Sequence, residues 1–200
     1  SDTTATAVWS DPIVEVTVDG VTTKYPSLEQ VIPVVKDKNA EIKVINDFSL
    51  TATTSIYATK LVLDLNNHTL NGNSRTFNLY CDVEVKGPGN IQFTSRPFYV
   101  RDNFRMTIGE SVNITRTSGT SATSYAVQAS NGSTLILNGG SVTCNSTTAI
   151  YSTGTAVVVN ADGVASTFSA PNVYYNITPT TVPTNNNTSG KIWYRIDNQI

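Results

Sequence analysis

Residues 60–67 read Lys60-Leu61-Val62-Leu63-Asp64-Leu65-Asn66-Asn67, an alternating apolar strand that runs into a polar corner. Four later stretches repeat this pattern, and their inward anchors follow Leu63 at intervals of 22, 23, 29 and 22 residues. These anchors are Val85, Ile108, Leu137 and Val159. Such a period is typical of one coil of a β-solenoid. The alternative is a β-sandwich, whose strands recur every 8 to 12 residues without a superperiod of this length.

Each anchor strand has two short apolar companions. Those before the anchors begin at Ser55, Phe77, Phe98, Tyr125 and Ala149, and those after the anchors begin at Thr69, Ile91, Val112, Val142 and Val164. Corners fall at Asn66-Asn67, Gly87-Pro88-Gly89, Gly109, Asn138-Gly139-Gly140 and Asp162-Gly163. Three strands per coil predict an all-β, right-handed parallel β-helix of triangular section with about five to six coils.

The two ends of the chain are predicted to cover the open edges of this coil. Residues 13–23 predict a hairpin that turns at Asp19-Gly20. Residues 27–35 predict a short helix with a capping-box pattern, which Pro33 kinks or shortens. Its apolar stripe comprises Leu28, Val31, Ile32 and Val35. Residues 41–50 then supply an incomplete starting coil. The chain thus divides into an arm and hairpin over 1–26, the β-helix with its capping helix over 27–170, and a loop with a capping or docking strand over 171–200.

Composition narrows the classes of partner. Only 14% of the residues are charged and the net charge is −2, so no basic surface for nucleic acid or anionic membrane is expected. No apolar run approaches the ~18 residues needed to span a bilayer. The polar start from Ser1 to Thr6 lacks the basic and apolar regions of a secretory signal peptide.

The phrase Leu63-Asp64-Leu65-Asn66-Asn67-His68-Thr69-Leu70, together with the helix and strand over 25–50, resembles the right-handed, pectate-lyase-like β-helix superfamily. The phrase is similar to one that recurs in non-catalytic β-helices of Gram-positive surface proteins and of tailed-phage particles. The resemblance covers about residues 25–170. It implies the fold, and fold alone does not determine function.

Catalysis is not predicted. The single histidine, His68, excludes a Ser-His-Asp arrangement, and no Cys/His spacing fits a metal, so no cofactor is expected. Glycosidic hydrolysis needs two carboxyl groups ~5 to 9.5 Å apart, but the outward positions on successive coils are Glu84, Thr107, Ile136 and Val158. The nearest approach to a catalytic cluster comprises Asp82, Glu84, Arg101, Asp102 and Arg105. We interpret it as a solvated ion-pair patch, and Asp64 and His68 as corner hydrogen-bonding groups.

The cysteines are expected to be free thiols. Cys81 and Cys144 fall two coils apart, which places them about 10 Å from each other along the axis, beyond the reach of a disulfide. Cys144 falls at an inward position, where a small core residue is the expected role.

Aromatic residues form the predicted binding surface. With Ile56, Leu79, either Phe98 or Val100, Val127 and Ile150 in the core, one outward strip comprises Tyr57, Tyr80, Tyr99 and Tyr151. Tyrosines on a flat sheet suit sugar stacking or burial against protein, or they stack on one another as a stabilising ladder. The longest coil carries an insertion at 116–124, from which Arg116, Ser118 and Thr120 are further candidate contacts. Trp193 and Tyr194 in the last segment are candidate docking residues.

These features predict a non-enzymatic structural or attachment protein, displayed outside the cell on a phage virion or a bacterial cell surface. The expected partners are other virion or cell-surface proteins and host glycan, with homo-oligomerisation left open. The missing signal peptide and the absence of a basic anchoring tail slightly favour the virion. The alternative is a polysaccharide lyase or glycoside hydrolase, which requires the patch from Asp82 to Arg105 to form a cleft.

Overall fold

The chain coils into a parallel β-helix with three faces. The computed structural model describes residues 10–95, 97–118, 125–145, 148–153, 155–161, 166–169 and 172–176. Three sheets run along the coil, and the described chain passes through each of them six times, which makes about five turns. The predicted solenoid is therefore confirmed and the sandwich is excluded. The handedness of the coil stays a prediction.

The helix and the hairpin come first in the chain. The hairpin strands are β1 (Val14–Val18) and β2 (Val21–Tyr25), and the helix is α1 (Leu28–Val35). The coil strands that follow are divided equally among three sheets, which we term A, B and C.

Every coil strand pairs in parallel with its equivalents on the neighbouring coils. Sheet A contains β3 (Asn39–Val44), β6 (Lys60–Asp64), β9 (Asp82–Lys86), β12 (Arg105–Ile108), β15 (Thr134–Leu137) and β18 (Val157–Asn160). Sheet B contains β4 (Phe48–Ser49), β7 (Thr69–Asn73), β10 (Gly89–Phe93), β13 (Val112–Arg116), β16 (Ser141–Cys144) and β19 (Thr167–Ser169). Sheet C contains β5 (Thr54–Ile56), β8 (Phe77–Leu79), β11 (Phe98–Val100), β14 (Tyr125–Ala129), β17 (Thr148–Ser152) and β20 (Asn172–Asn176).

The core is a stack of inward columns. Leu63, Val85, Ile108 and Leu137 occupy consecutive rungs of sheet A, and each is at most 1% exposed. Because strand side chains alternate between faces, every second residue of each strand points into the coil. Rings of Phe77, Phe93 and Phe98 pack together inside, with centroids 6.1 to 6.3 Å apart.

The fifth anchor, Val159, was assigned one residue too early for the column of Leu137. Val159 pairs with Ile136, whereas Asn160 pairs with Leu137. Val158, predicted to face outward, pairs with Leu135 and is fully buried. The run from Ala156 to Val159 is apolar throughout, so alternation gives no face for this strand.

The N-terminal elements cover the first coil as predicted. Strand β1 pairs antiparallel with β3 and closes that edge of sheet A, and Asp19-Gly20 forms the two-residue hairpin turn with positive φ at both residues. Helix α1 buries Leu28, Val31 and Val35. Ser27 is the N-cap but makes no side-chain capping hydrogen bond, so the expected capping box is wrong. The incomplete starting coil is confirmed: it consists of β3 and β4, because the next strand, β5, begins the coil of Leu63.

Polar corners join each coil to its neighbour. Asp64 Oδ1 accepts a hydrogen bond from Asn66 N at 2.8 Å, and Asn66 Nδ2 donates to Val44 O at 2.9 Å on the preceding coil. Asp47 Oδ1 lies 3.1 Å from His68 Nδ1 and accepts from Thr69 N at 2.9 Å. The donated backbone N–H, then the imidazole, hold the pKa of Asp47 below its usual range. The structure thus confirms that Asp64 and His68 are corner groups.

The far end extends beyond the predicted limit of the repeat. Strand β20 pairs in parallel with β17 up to Asn176, so the boundary at 170 is too early. Cys81 and Cys144 are both buried and, within the described residues, neither is in a disulfide, as expected. Within the described ranges, the single short helix is neither long nor apolar enough to cross a membrane.

Candidate functional site

The predicted tyrosine strip is two columns rather than one. Tyr80 follows Leu79, and its ring stacks on that of Tyr57, which follows Ile56 on the preceding coil. Tyr99 instead pairs with Asn78, and Tyr151 pairs with Gln128, two residues earlier along the strands. Because alternate residues of a strand share a face, both columns lie on the outer side of sheet C. The single continuous strip is therefore wrong, although all four rings are at least partly exposed.

Three of the tyrosines converge on Arg101. The rings of Tyr57 and Tyr80 are parallel with centroids 4.6 Å apart. The guanidinium carbon of Arg101 lies 5.6 Å from the Tyr80 centroid and 4.2 Å from the Tyr99 centroid. A cation within about 6 Å of a ring face is attracted by the ring quadrupole. Tyr57, Tyr80, Tyr99 and Arg101 form one outward group, which we term the C-face cluster.

The ring faces in the C-face cluster are largely covered by one another. Tyr80 lies between Tyr57 on one side and Arg101 on the other, and Arg101 covers a face of Tyr99. Tyr151 stacks on Tyr125 with centroids 4.3 Å apart, in a separate pair that the sequence analysis missed. An incoming molecule therefore meets ring edges and hydroxyl groups more than ring faces. Tyr57, at 47% exposed, is the most accessible of the four predicted rings.

The insertion at 116–124, a predicted contact region, begins at a buried arginine. Arg116 is the last residue of β13 and only 6% exposed, so its expected place on the surface is wrong. Its Nε donates to Ser118 O at 2.9 Å and its Nη1 donates to Tyr125 O at 3.0 Å, which ties together the two ends of the insertion. Ser118 is exposed and donates through Oγ to Thr94 O at 2.9 Å. Thr120, Trp193 and Tyr194 lie outside the described residues.

Sheet A carries an open groove on its outer side. Its volume is about 530 Å³, within the range of small-molecule sites. Its lining consists of Lys60, Asp82, Val83, Glu84, Asn103, Phe104, Arg105, Thr107 and Thr134. Lys60, Asp82, Arg105 and Thr134 follow one another on successive rungs, and Glu84 and Thr107 form the adjacent column.

Only three of the five residues in the predicted charge cluster line the groove. Asp82, Glu84 and Arg105 line it, whereas Arg101 belongs to the C-face cluster and Asp102 is exposed outside the groove. Asp82 Oδ1 accepts from Arg105 N at 2.8 Å, and no salt bridge joins the five residues within the described part of the chain. The ion-pair interpretation is therefore wrong for this patch.

Two carboxylates share the groove, although none stack between coils. Asp82 and Glu84 are alternate residues of β9, so their Cα atoms lie roughly 6.6 Å apart on one face. Both acids belong to the cluster named from the sequence, where acids were compared between successive coils rather than along one strand. The groove residues that contribute no acid, among them Lys60, Asn103 and Thr134, were not predicted. Across the described residues, no group of three His, Cys, Asp or Glu side chains could hold a metal ion.

The chain matches no family model, and neither a curated protein nor a solved structure is significantly similar to it. The parallel β-solenoid is therefore established by the coordinates alone. Membership of the pectate-lyase-like superfamily stays an interpretation of the sequence.

Proposed function

We propose that this chain is a non-enzymatic structural or attachment protein, displayed on a phage virion or on a bacterial cell surface. The observation that carries the proposal is the C-face cluster. Tyr and Arg are the residue types that dominate protein-protein contacts, because they combine a large apolar area with polar ends. The cluster is held on a rigid sheet, so little ordering of the surface is needed on binding. Its partners are other virion or cell-surface proteins, with host glycan or a second copy of the chain as further candidates.

Attachment can be measured with the whole chain coupled to fluorescent beads. The beads are incubated with intact cells, with purified virions and with a glycan panel. We expect the double variant Tyr57→Ser/Tyr80→Ser to attach at least about tenfold more weakly, because aromatic anchors contribute roughly 2 kcal/mol or more each. Tyr125→Ser is the matched control, since its ring stacks elsewhere on sheet C. Undiminished attachment of the double variant, with its fold intact by circular dichroism, would contradict the proposal.

The setting requires a separate experiment. An antibody raised against the chain, used in immunogold electron microscopy on cell envelopes and on induced phage particles, distinguishes the two surfaces. Label on virions supports the phage setting, and label on the envelope supports the cell-surface setting. Label confined to the cytoplasm would contradict both.

The second candidate function is cleavage of a polysaccharide. The observation in its favour is the groove, in which Asp82 and Glu84 lie beside Lys60 and Arg105. Paired carboxyl groups at ~5 to 9.5 Å can serve as acid and base, or as acid and nucleophile, in glycoside hydrolysis. A chain of this kind would release reducing ends or unsaturated uronates from a polysaccharide.

This candidate is tested with a panel of neutral and acidic polysaccharides. Under our proposal no product forms. Product that disappears in Glu84→Gln but persists in Glu41→Gln would establish the enzyme instead. Glu41 is the matched control because it lies in the Glu84 column of sheet A, two rungs away and outside the groove lining.

A further inference from the structure

Arg101 is a half-buried cation without a carboxylate. Within the described part of the chain, no Asp or Glu oxygen lies within 4.0 Å of it, although Asp102 is its chain neighbour. Its hydrogen-bond acceptor is Asn78 Oδ1, which receives a bond from Nη2. Its Nε–H is buried and has no acceptor among the described residues. A half-buried cation with no carboxylate beside it is unfavourable, and an anion bound next to it would lower this cost through its charge.

The surroundings hold the guanidinium in place before any partner arrives. The rings of Tyr80 and Tyr99 contact it from two directions, and Asn78 in turn donates to Ser55 Oγ at 3.0 Å. An arginine side chain loses much of its freedom when it binds a partner. Here that loss has already occurred on folding, so the side chain is preorganised. Arg101 as a whole remains partly exposed.

The chemistry of this arrangement favours a carboxylate. A guanidinium offers two parallel N–H donors that match the two oxygens of a carboxylate, and a lysine ammonium cannot reproduce this geometry. An acidic protein segment fits better than an acidic sugar. Sugars stack on the faces of aromatic rings, and here Tyr57 and Arg101 cover both faces of Tyr80. The exposed edges and hydroxyl groups suit the peptide groups that flank a Glu or Asp side chain.

We infer that Arg101 binds a Glu or Asp side chain on an acidic segment of a protein partner, while the edges of Tyr57, Tyr80 and Tyr99 contact the residues around it. The inference rests on the proposed function and names the partner chemistry for the same surface.

The unaltered full chain provides the first test. The Arg101 Nε–H resonance is followed by ¹H–¹⁵N NMR while a hexaglutamate peptide is added. Hexaglutamine is the uncharged control, and a hexa-uronate saccharide tests the glycan source. We expect the resonance to shift with hexaglutamate only. No shift with hexaglutamate, or a larger shift with the uronate, would overturn the inference.

Variants then test whether the planar guanidinium is required. Arg101→Gln and Arg101→Lys should each weaken hexaglutamate binding about fivefold or more, because neither retains the bidentate donor pair. Arg75→Gln is the matched control with the same change of charge, because Arg75 is exposed between β7 and β8, outside the C-face cluster and the groove lining. Hexaglutamate binding by this variant should stay within about twofold, since distant surface charges are screened. Equal weakening in Arg75→Gln would show non-specific charge attraction and overturn the inference. If Arg101→Gln does not fold, the NMR titration decides alone.

Failure of the inference differs from failure of the proposed function. If Tyr57→Ser/Tyr80→Ser abolishes attachment of the beads and Arg101→Gln leaves it unchanged, the attachment function stands and the acidic partner is wrong. If neither change affects attachment, the C-face cluster is not a contact surface and both are wrong.

Discussion

The inward and outward columns of the coil belong to the same strands in the same register. They differ in whether the same type of side chain recurs from one coil to the next. On the inner side of sheet A, Leu63, Val85, Ile108 and Leu137 present an aliphatic side chain at every rung. On the outer side, the column through Glu84 runs from Val62 to Thr107 and Ile136. Repetition is therefore a property of the core, whereas the outer faces change chemistry from rung to rung. Stability and recognition are placed on opposite sides of the same backbone.

The largest effect should come from a cavity inside the coil. Leu137→Ala removes a side chain that is 1% exposed, and we expect the free energy of unfolding to fall by roughly 2 to 5 kcal/mol. Ile136→Ala is the matched control, because the preceding residue of the same strand faces outward. It should cost less than about 1 kcal/mol. Denaturant unfolding followed by circular dichroism measures both, and equal losses would mean that the two sides of sheet A do not differ as described.

The buried thiol of Cys81 should make stability fall in alkali. Burial raises its pKa from 9.0 to about 11; the N–H of Ala58 partly offsets this rise and Asp82 adds to it. Between these two pH values the thiol ionises in the unfolded chain but not in the folded one, so the unfolded chain binds fewer protons. The free energy of unfolding should therefore fall by up to roughly 2 to 3 kcal/mol as pH rises from about 9 to about 11.

Variants isolate this titration from those of lysine and tyrosine. Unfolding is measured in urea at several pH values from 8 to 11. Cys81→Ala should lose the additional fall, and Cys144→Ala should keep it because Cys81 is still present. An identical pH dependence in wild type and Cys81→Ala would show that the thiol is not shielded as the structure indicates.

A smaller interior effect is expected at Gly72. A Cβ atom at this position would overlap the ring of Phe93 on the next coil. Gly72→Ala should cost roughly 1 to 3 kcal/mol, because a filled core accepts extra volume only by displacement. Adding Phe93→Leu to Gly72→Ala should cost less than the sum of the two single changes, since the smaller side chain frees space. Strict additivity in the unfolding free energies would exclude this contact.

The fold could be predicted because burial of one strand side forces a strict alternation. A parallel coil also needs each inward residue to lie over the one before it, which produces the period of about 22 residues. The inward and outward residues were assigned wrongly at Val158 and Val159 because the run from Ala156 to Val159 is apolar throughout and lacks this alternation. The capping-box pattern at Ser27 correctly predicted where the helix begins, but the Ser27 side chain makes no capping hydrogen bond.

The candidate sites were harder to predict because alternation determines the face of a residue but not its rung partner. Phe98 and Val100 are both apolar, so either could pair with Leu79, and the choice moves Tyr99 by two positions. Arg101 was grouped with nearby acids in the sequence, whereas the corner after β11 directs it towards Tyr80 and Tyr99. The groove depends on which outward side chains are long and which are short on adjacent coils. That arrangement is visible only once the register is known.

The smallest expected effect concerns whether the stacked tyrosines stabilise the fold at all. Tyr57 and Tyr80 have parallel rings 4.6 Å apart, and such pairs contribute about 0.5 to 1.5 kcal/mol beyond the area they bury. A double-mutant cycle with Tyr57→Ala and Tyr80→Ala should give a coupling energy in that range. Tyr57→Ala combined with Tyr151→Ala is the control cycle, and it should be additive within about 0.5 kcal/mol because those rings are not stacked on each other.

The wild type, the two single variants and the double variant of this cycle also show whether Tyr57 and Tyr80 form a stabilising ladder or a contact surface. A coupling energy near zero would mean that the Tyr57 and Tyr80 rings touch without stabilising the coil, which would leave binding as the reason for their exposure. A coupling energy near the upper limit, together with unchanged attachment of the beads, would identify the pair as a stabilising ladder on the outside of the coil. In that case the outer face of sheet C would resemble the interior in its role, and the division between stability and recognition would hold only for sheet A.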